Sequence, residues 1–111
     1  MRYMMFVATD SEPDSGSEQP GDIEAWFADV DGRGKWVTGD RLRPPTDAKT
    51  VRVRSGELIV TDGPFAESKE WIAGFDILDC QDEQEAIEIA GKHPMARFGR
   101  LEIRPCWPFE G

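Results

Sequence analysis

The spacing of apolar residues along the chain separates predicted strands from predicted helices. Residues 3–8 form a continuous apolar run, and its length suits a strand that is buried on both faces near the centre of a sheet. Residues 50–54 and 100–105 alternate apolar with polar side chains, which predicts strands with one exposed face. Ser55-Gly56 predicts a tight hairpin turn after residues 50–54. Three more strands are predicted, at residues 36–38, 57–61 and 71–79.

Two segments carry the helical period instead. In the first, Asp22 is a suitable N-cap residue. Four apolar residues follow it at positions i, i+3, i+4 and i+7: Ile23, Trp26, Phe27 and Val30. The second helix begins at Asp82, with Glu85 three residues later in the manner of a capping box. Gly91 and Pro94 are predicted to end it.

The resulting order is strand, helix, strands with a hairpin, helix, strand. This order predicts an α+β fold in which two helices cover one face of an antiparallel sheet. No further helix is predicted to cover the other face, so we expect two sheets to pack face to face in a homodimer. A length of 111 residues fits one domain, and we assign residues 1–111 to it.

Composition and charge exclude several classes of protein. Hydrophobic residues make up 39% of the chain and charged residues 32%, a balance typical of globular domains. The net charge of −9 disfavours binding to nucleic acid. No apolar run reaches the ~20 residues of a membrane helix, and no export signal is recognisable. We therefore expect a cytoplasmic protein with two free thiols and no membrane contact.

Charge is unevenly distributed along the chain. The segment from Arg33 to Arg54 holds seven basic and two acidic residues, whereas the remainder holds six basic and twenty acidic residues. One interpretation is a solvated strand-and-loop face. The other is a local positive field that attracts a small anionic ligand. Nucleic acid fits this segment less well, because Trp36 is its one aromatic residue that can stack on a base.

The most distinctive motif is VTDGPFAESKE at residues 60–70. With it, the chain resembles the YCII-related family, specifically the branch named for an Asp-Gly-Pro-Phe motif. Other stretches fit the same family in the same order: Arg2-Tyr3-Met4, GDRLRP at 39–44, Thr50-Val51-Arg52, Ala73-Gly74-Phe75, Glu85-Ala86, His93-Pro94 and Glu102-Ile103-Arg104-Pro105.

The resemblance implies a ferredoxin-like fold that pairs into a dimeric α+β barrel. It also implies a pocket with a histidine and an aspartate and, for some members of the branch, a link to sigma factors of the extracytoplasmic-function type. This sequence departs from the family pocket in two places. The first helix has no histidine, and the position before the proline after the second helix holds His93 instead of aspartate.

Two residues are candidate catalytic groups. Asp62 follows a strand and precedes Gly63-Pro64, where a carboxylate can act as a general base or bind a divalent cation. The alternative is that Asp62 shapes the turn by accepting backbone N–H groups. His93 is the only histidine and can shuttle a proton near neutral pH. Alternatively, a protonated His93 stabilises the end of the second helix.

Four residues are candidate ligand contacts: Arg52, Arg97, Lys69 and Trp26. The guanidinium groups of the two arginines suit an anion. The alternative for the three cationic residues is a surface ion pair, and the alternative for Trp26 is packing in the core. Since metal-binding cysteine or histidine spacings and a phosphate-binding glycine loop are absent from the sequence, we expect no zinc site and no cofactor.

The sequence leaves three functions open. The first is the binding of a small molecule, with anions among the candidates, in a pocket near the Asp-Gly-Pro-Phe motif. The second is an enzyme in which Asp62 or His93 moves a proton while Arg52 holds an anionic substrate. The third is a regulatory partner of an extracytoplasmic-function sigma factor, in which the surface matters more than the pocket.

Overall fold

The computed structural model describes residues 1–14, 22–64 and 70–109. Strands and helices within these residues follow in this order: β1 (Arg2–Thr9), α1 (Ile23–Gly32), β2 (Trp36–Arg41), β3 (Lys49–Arg54), β4 (Glu57–Asp62), β5 (Ile72–Asp79), α2 (Glu83–Gly91), α3 (Met95–Phe98) and β6 (Gly99–Pro105). Within the same ranges, every helix is too short or too polar to cross a membrane.

Four strands form an antiparallel sheet in the order β2-β5-β1-β6. The apolar run of β1 lies between β5 and β6, as its pattern predicts. Without the β3–β4 hairpin, the chain reads strand, helix, two strands, helices, strand, which is the ferredoxin-like order. The predicted α+β class with an antiparallel sheet is confirmed.

The helices pack on one face of this sheet. Trp26 and Val30 from α1 and Ile89 from α2 are buried against Met5 and Leu78 of the sheet. Both predicted N-caps are confirmed: the side chain of Asp22 accepts the N–H of Glu24, and that of Asp82 accepts the N–H of Glu85.

The short helix α3 is absent from the sequence prediction, in which Pro94 only ends a helix. Pro94 adopts helical backbone angles (φ −54°, ψ −35°) as the N-cap of α3. Proline has no N–H to donate and a fixed φ, and the start of a helix tolerates both. Pro94 therefore starts a new turn that leads into β6.

The β3–β4 hairpin forms a separate two-stranded sheet. Ser55 and Gly56 both have positive φ (52° and 77°), as a two-residue type I′ turn requires. Val51 pairs with Val60, and Val53 with Leu58, so four apolar side chains share one exposed face. The radius of gyration is 16.3 Å, against about 13 Å for a compact domain of this length. The hairpin pairs with no strand of the main sheet among the described residues, and its apolar face stays exposed.

Two matched leucine truncations test this division between core and hairpin. Leu78→Ala removes a fully buried side chain and is expected to lower the free energy of unfolding by about 3 kcal/mol. Leu58→Ala makes the same chemical change at a side chain that is 68% exposed, so we expect a change of at most about 0.5 kcal/mol. Urea unfolding measures both, and equal losses would show that the hairpin face is buried in solution.

Candidate functional site

A cavity of about 580 Å³ lies between α1 and the sheet edge formed by β2 and β5. This volume falls within the range of about 300–1,000 Å³ that is common for small-molecule sites. Most of the described residues that line it are apolar: Val7, Ile23, Trp26, Phe27, Trp36, Ala73, Phe75 and Met95. The charged or titratable side chains among its described lining residues are Glu24, Asp40, Arg41, Asp76 and His93.

The apolar stripe of α1 is divided between the core and this cavity. Trp26 and Val30 are 6% and 1% exposed, whereas Ile23 and Phe27 are 49% and 39% exposed. Ile23 and Phe27 both line the cavity, as does one surface of Trp26. The sequence pattern predicts a single core-facing stripe, and the structure turns half of it toward an open pocket.

Two tryptophans are fixed in the cavity wall by their indole N–H groups. Trp26 Nε1 donates to the carbonyl oxygen of Ile89 at 2.9 Å, and Trp36 Nε1 donates to Asp76 Oδ1 at 2.8 Å. Phe27 packs edge-on against Trp36, with ring centroids 4.8 Å apart. These bonds hold the aromatic walls in place and use the indole donors within the protein.

His93 lines the cavity although only 6% of its surface is exposed. The backbone N–H of Met95 donates to Nδ1 at 3.0 Å, and the ring lies 4.7 Å from that of Trp26, centroid to centroid. Burial lowers the pKa of His93 to about 4, so the imidazole is neutral at physiological pH. Because Nδ1 accepts a hydrogen bond, the ring carries its proton on Nε2.

The interpretation of His93 as a protonated cap of α2 is therefore wrong. Its ring is buried beside Trp26, and burial disfavours the charge that the interaction with the helix dipole needs. Within the described ranges Nε2 has no hydrogen-bond partner, and His93 is among the residues that line the cavity.

Asp76 is the functional side chain that sequence reasoning missed. It lies in β5 on the helix-facing side of the sheet, where it pairs with Met5 and Gly39. A Cβ atom at Gly39 would lie 2.5 Å from Asp76 Oδ1, so glycine leaves room for this carboxylate. Burial raises the pKa of Asp76, and the hydrogen bond from Trp36 partly opposes that effect.

The signal that could have found Asp76 is a lone acidic residue inside an apolar strand. Residues 72–78 read IAGFDIL, and strand alternation places Asp76 on the same face as Leu78, which is fully buried. A carboxylate on the inward face is costly unless it has a partner or a water-filled space. Such a residue therefore indicates a site.

Asp62, the predicted base, lies elsewhere. It ends β4, its side chain is 83% exposed, and its carboxylate forms an ion pair with Lys49. It is not among the described residues that line the cavity, so one chain does not bring Asp62 and His93 together there.

The other predicted ligand residues are also dispersed. Trp26 lines the cavity, but Arg52 lies on the exposed β3 strand and Arg97 lies on α3, with its guanidinium 3.7 Å from the carboxylate of Asp14. Lys69 lies outside the described residues. Across residues 1–14, 22–64 and 70–109, no three acidic, histidine or cysteine side chains come together as a metal site.

Comparisons with known proteins support the family resemblance. A family model described as "YCII-related domain" matches residues 1–110. "Uncharacterized protein R00369" from Rhizobium meliloti (strain 1021) is 46% identical over 67 residues, which cover 59% of this chain and 54% of that protein. The chain thus spans about half the length of that curated relative, whose name states no activity.

The buried neutral state of His93 predicts a specific pH dependence of stability. In the unfolded chain the imidazole gains a proton near its ordinary pKa of 6.5, whereas the folded one does so only near 4. The stability that this group supplies is complete above pH 6.5 and is lost as the pH falls toward 4. The loss amounts to about 3 kcal/mol.

His93→Gln is the matched control, because glutamine does not titrate. Urea unfolding at pH 7, 5.5 and 4 gives the difference in unfolding free energy between the native chain and the variant. We expect this difference to shrink by about 3 kcal/mol from pH 7 to pH 4. A difference that stays constant would contradict a buried neutral imidazole.

Proposed function

The chain belongs to the YCII-related family, and from this premise we propose that it binds a small organic molecule in the cavity beside His93 and Asp76. The observation that carries the proposal is the division of the α1 stripe. Ile23 and Phe27 face a cavity that also holds a buried imidazole and a carboxylate on the inward sheet face. Mostly apolar walls with a few convergent polar groups are typical of ligand sites.

The two polar groups offer complementary contacts to a ligand. His93 presents an N–H donor at Nε2, while Asp76 has one carboxylate oxygen bonded to Trp36 and a second without a hydrogen bond within the described ranges. The aromatic walls supply apolar contact on either side. A ligand with a ring-sized apolar body and both hydrogen-bonding functions fits this arrangement.

A second candidate function is proton transfer, with Asp76 in the role that the sequence suggested for Asp62. Burial raises the pKa of Asp76, which makes it a stronger base, and lowers the pKa of His93 to about 4, which keeps the imidazole neutral as a hydrogen-bond donor. Asp76 would take a proton from a carbon next to a carbonyl group. The electron pair would move to the carbonyl oxygen, which the Nε2–H of His93 would stabilise.

We also propose that two copies pair through the sheet face turned away from the helices. Met4 and Phe6 alternate with the buried side of β1, and Met4 pairs with Ile77, so these apolar groups share that face. The Arg104 guanidinium lies 5.8 Å from the centre of the Phe6 ring. Packing two such faces would complete the dimeric α+β barrel that the resemblance implies.

The remaining proposals rest on the sequence and the resemblance that it carries. Asp62-Gly63-Pro64 at the end of β4 supports membership of the Asp-Gly-Pro-Phe branch, while Phe65 lies outside the described residues. A partnership with an extracytoplasmic-function sigma factor follows the same resemblance, whereas a cytoplasmic location follows from the two cysteines and the absence of a recognisable export signal in the sequence. Cavity variants that leave such a partnership intact would favour a surface role over ligand binding.

Ligand binding is tested by a thermal-shift screen of small aromatic compounds on the native chain. A compound at 100 times its dissociation constant adds about 2.7 kcal/mol of stability. We expect this gain to be lost in His93→Gln and in Asp76→Asn, whose side-chain amide keeps an oxygen acceptor for Trp36. Asp62→Asn, which lies outside the cavity lining, should retain the gain. No hit, or hits that survive in both cavity variants, would refute the proposal.

Pairing through the sheet is tested by sedimentation of the native chain and two lysine variants. We expect a dimer at micromolar concentration and a folded monomer for Phe6→Lys, because a lysine on the paired face must lose its hydration. Ile87→Lys changes a residue of α2 that is 48% exposed on the helical side, and it should remain dimeric. A native chain that is monomeric throughout would refute the barrel.

A further inference from the structure

We propose that the ligand of this cavity is an organic ammonium ion with a ring-sized apolar body. This inference rests on the proposed function and specifies the substrate class of the same site. It departs from the anionic ligand that one of the two interpretations of the basic segment suggests.

The charge of the cavity lining favours a cation. Among the described lining residues, the carboxylates of Glu24 and Asp76 outnumber the single guanidinium of Arg41. Asp40 also borders the cavity, but its pairing with Phe75 places its side chain on the opposite face of the sheet. His93 is neutral, so it adds no positive charge. A net negative lining in a protein of net charge −9 attracts cations and repels anions.

Several basic residues of the segment from Arg33 to Arg54 are paired with carboxylates away from the cavity. Arg33 forms ion pairs with carboxylates of α1 and α2, and Lys35 pairs with Glu85. Lys49 pairs with Asp62 on the hairpin. Of the seven basic residues between Arg33 and Arg54, Arg41 is the one found among the described lining residues.

The hydrogen-bonding groups of the lining also suit a cation. The indole N–H groups of Trp26 and Trp36 are bonded to protein acceptors, so these rings offer the cavity no polar donor. Asp76 keeps a carboxylate oxygen that has no hydrogen bond within the described ranges. Asp76 thus offers the cavity a carboxylate acceptor, which the N–H donors of an ammonium group match.

The aromatic side chains of the cavity wall favour a cation as well. Trp26, Trp36 and Phe27 lie on the same cavity, and the two indoles are held in place by their hydrogen bonds. Aromatic rings beside carboxylates attract ammonium ions through the negative potential of the ring face. His93 is more than nine-tenths buried at this cavity, and its Nε2–H can donate only to an acceptor on the body of the ligand, not to the ammonium group.

Three probes with the same phenyl group and different charge test the inference: 2-phenylethylammonium, 2-phenylethanol and 3-phenylpropanoate. Isothermal titration at pH 7 measures their dissociation constants on the native chain. We expect the ammonium ion to bind at least about tenfold more tightly than the alcohol, and the carboxylate to bind most weakly.

Two cavity variants locate the effect. Asp76→Asn keeps the acceptor for Trp36 and removes the charge. It should therefore raise the dissociation constant of the ammonium ion about tenfold and change that of the alcohol less than about threefold. Arg41→Gln removes the positive lining group and should leave the ammonium ion bound as tightly or more tightly. Asp62→Asn serves as the control for a carboxylate outside the cavity.

Each outcome separates the two proposals. Equal binding of the three probes overturns the cation inference and leaves small-molecule binding in place. The same holds if 3-phenylpropanoate binds most tightly and Arg41→Gln loses that binding. No binding of the ammonium probe also overturns the inference. A thermal-shift screen without a single hit overturns the proposed function itself.

Discussion

The architecture of the cavity depends on one constraint, the presence of a carboxylate on the inward face of the sheet. Asp76 cannot be packed under a helix like Leu78 two residues later, because an ionised group without a partner is costly in an apolar core. Trp36 supplies one hydrogen bond, and Gly39 leaves the necessary space. The open cavity beside Asp76 supplies the rest of the solvation of its carboxylate. Ile23 and Phe27 of α1 face this cavity instead of the core.

The fold could be predicted from the sequence because its signals are local. The apolar run of β1 and the two aspartate N-caps identified the central strand and both main helices. The Ser55-Gly56 turn identified the hairpin. Local signals do not predict that the hairpin forms a separate two-stranded sheet. That outcome depends on pairing between distant strands, which a turn motif does not specify.

The site was harder to predict, since burial of a charged residue is a property of the assembled sheet. Asp62 belongs to a recognisable motif, whereas the local sign of Asp76 is only its position as a single acidic residue within the apolar stretch 72–78. The pairing of Asp76 with Met5 and Gly39 places it inward, and this register joins segments far apart in the chain. His93 was found as the single histidine, but its neutral state follows from burial beside Trp26, which no spacing rule predicts.

The pairing of β1 also governs when this fold can form. β1 is synthesised first, yet both of its neighbours in the sheet, β5 and β6, come from the later part of the chain, at Ile72–Asp79 and Gly99–Pro105. Translation at about 5–20 residues per second leaves the apolar strand without a sheet for several seconds. The central strand is therefore the segment that a nascent chain most needs to shield, and long-range pairing of this kind makes folding slow compared with a helical bundle of the same size.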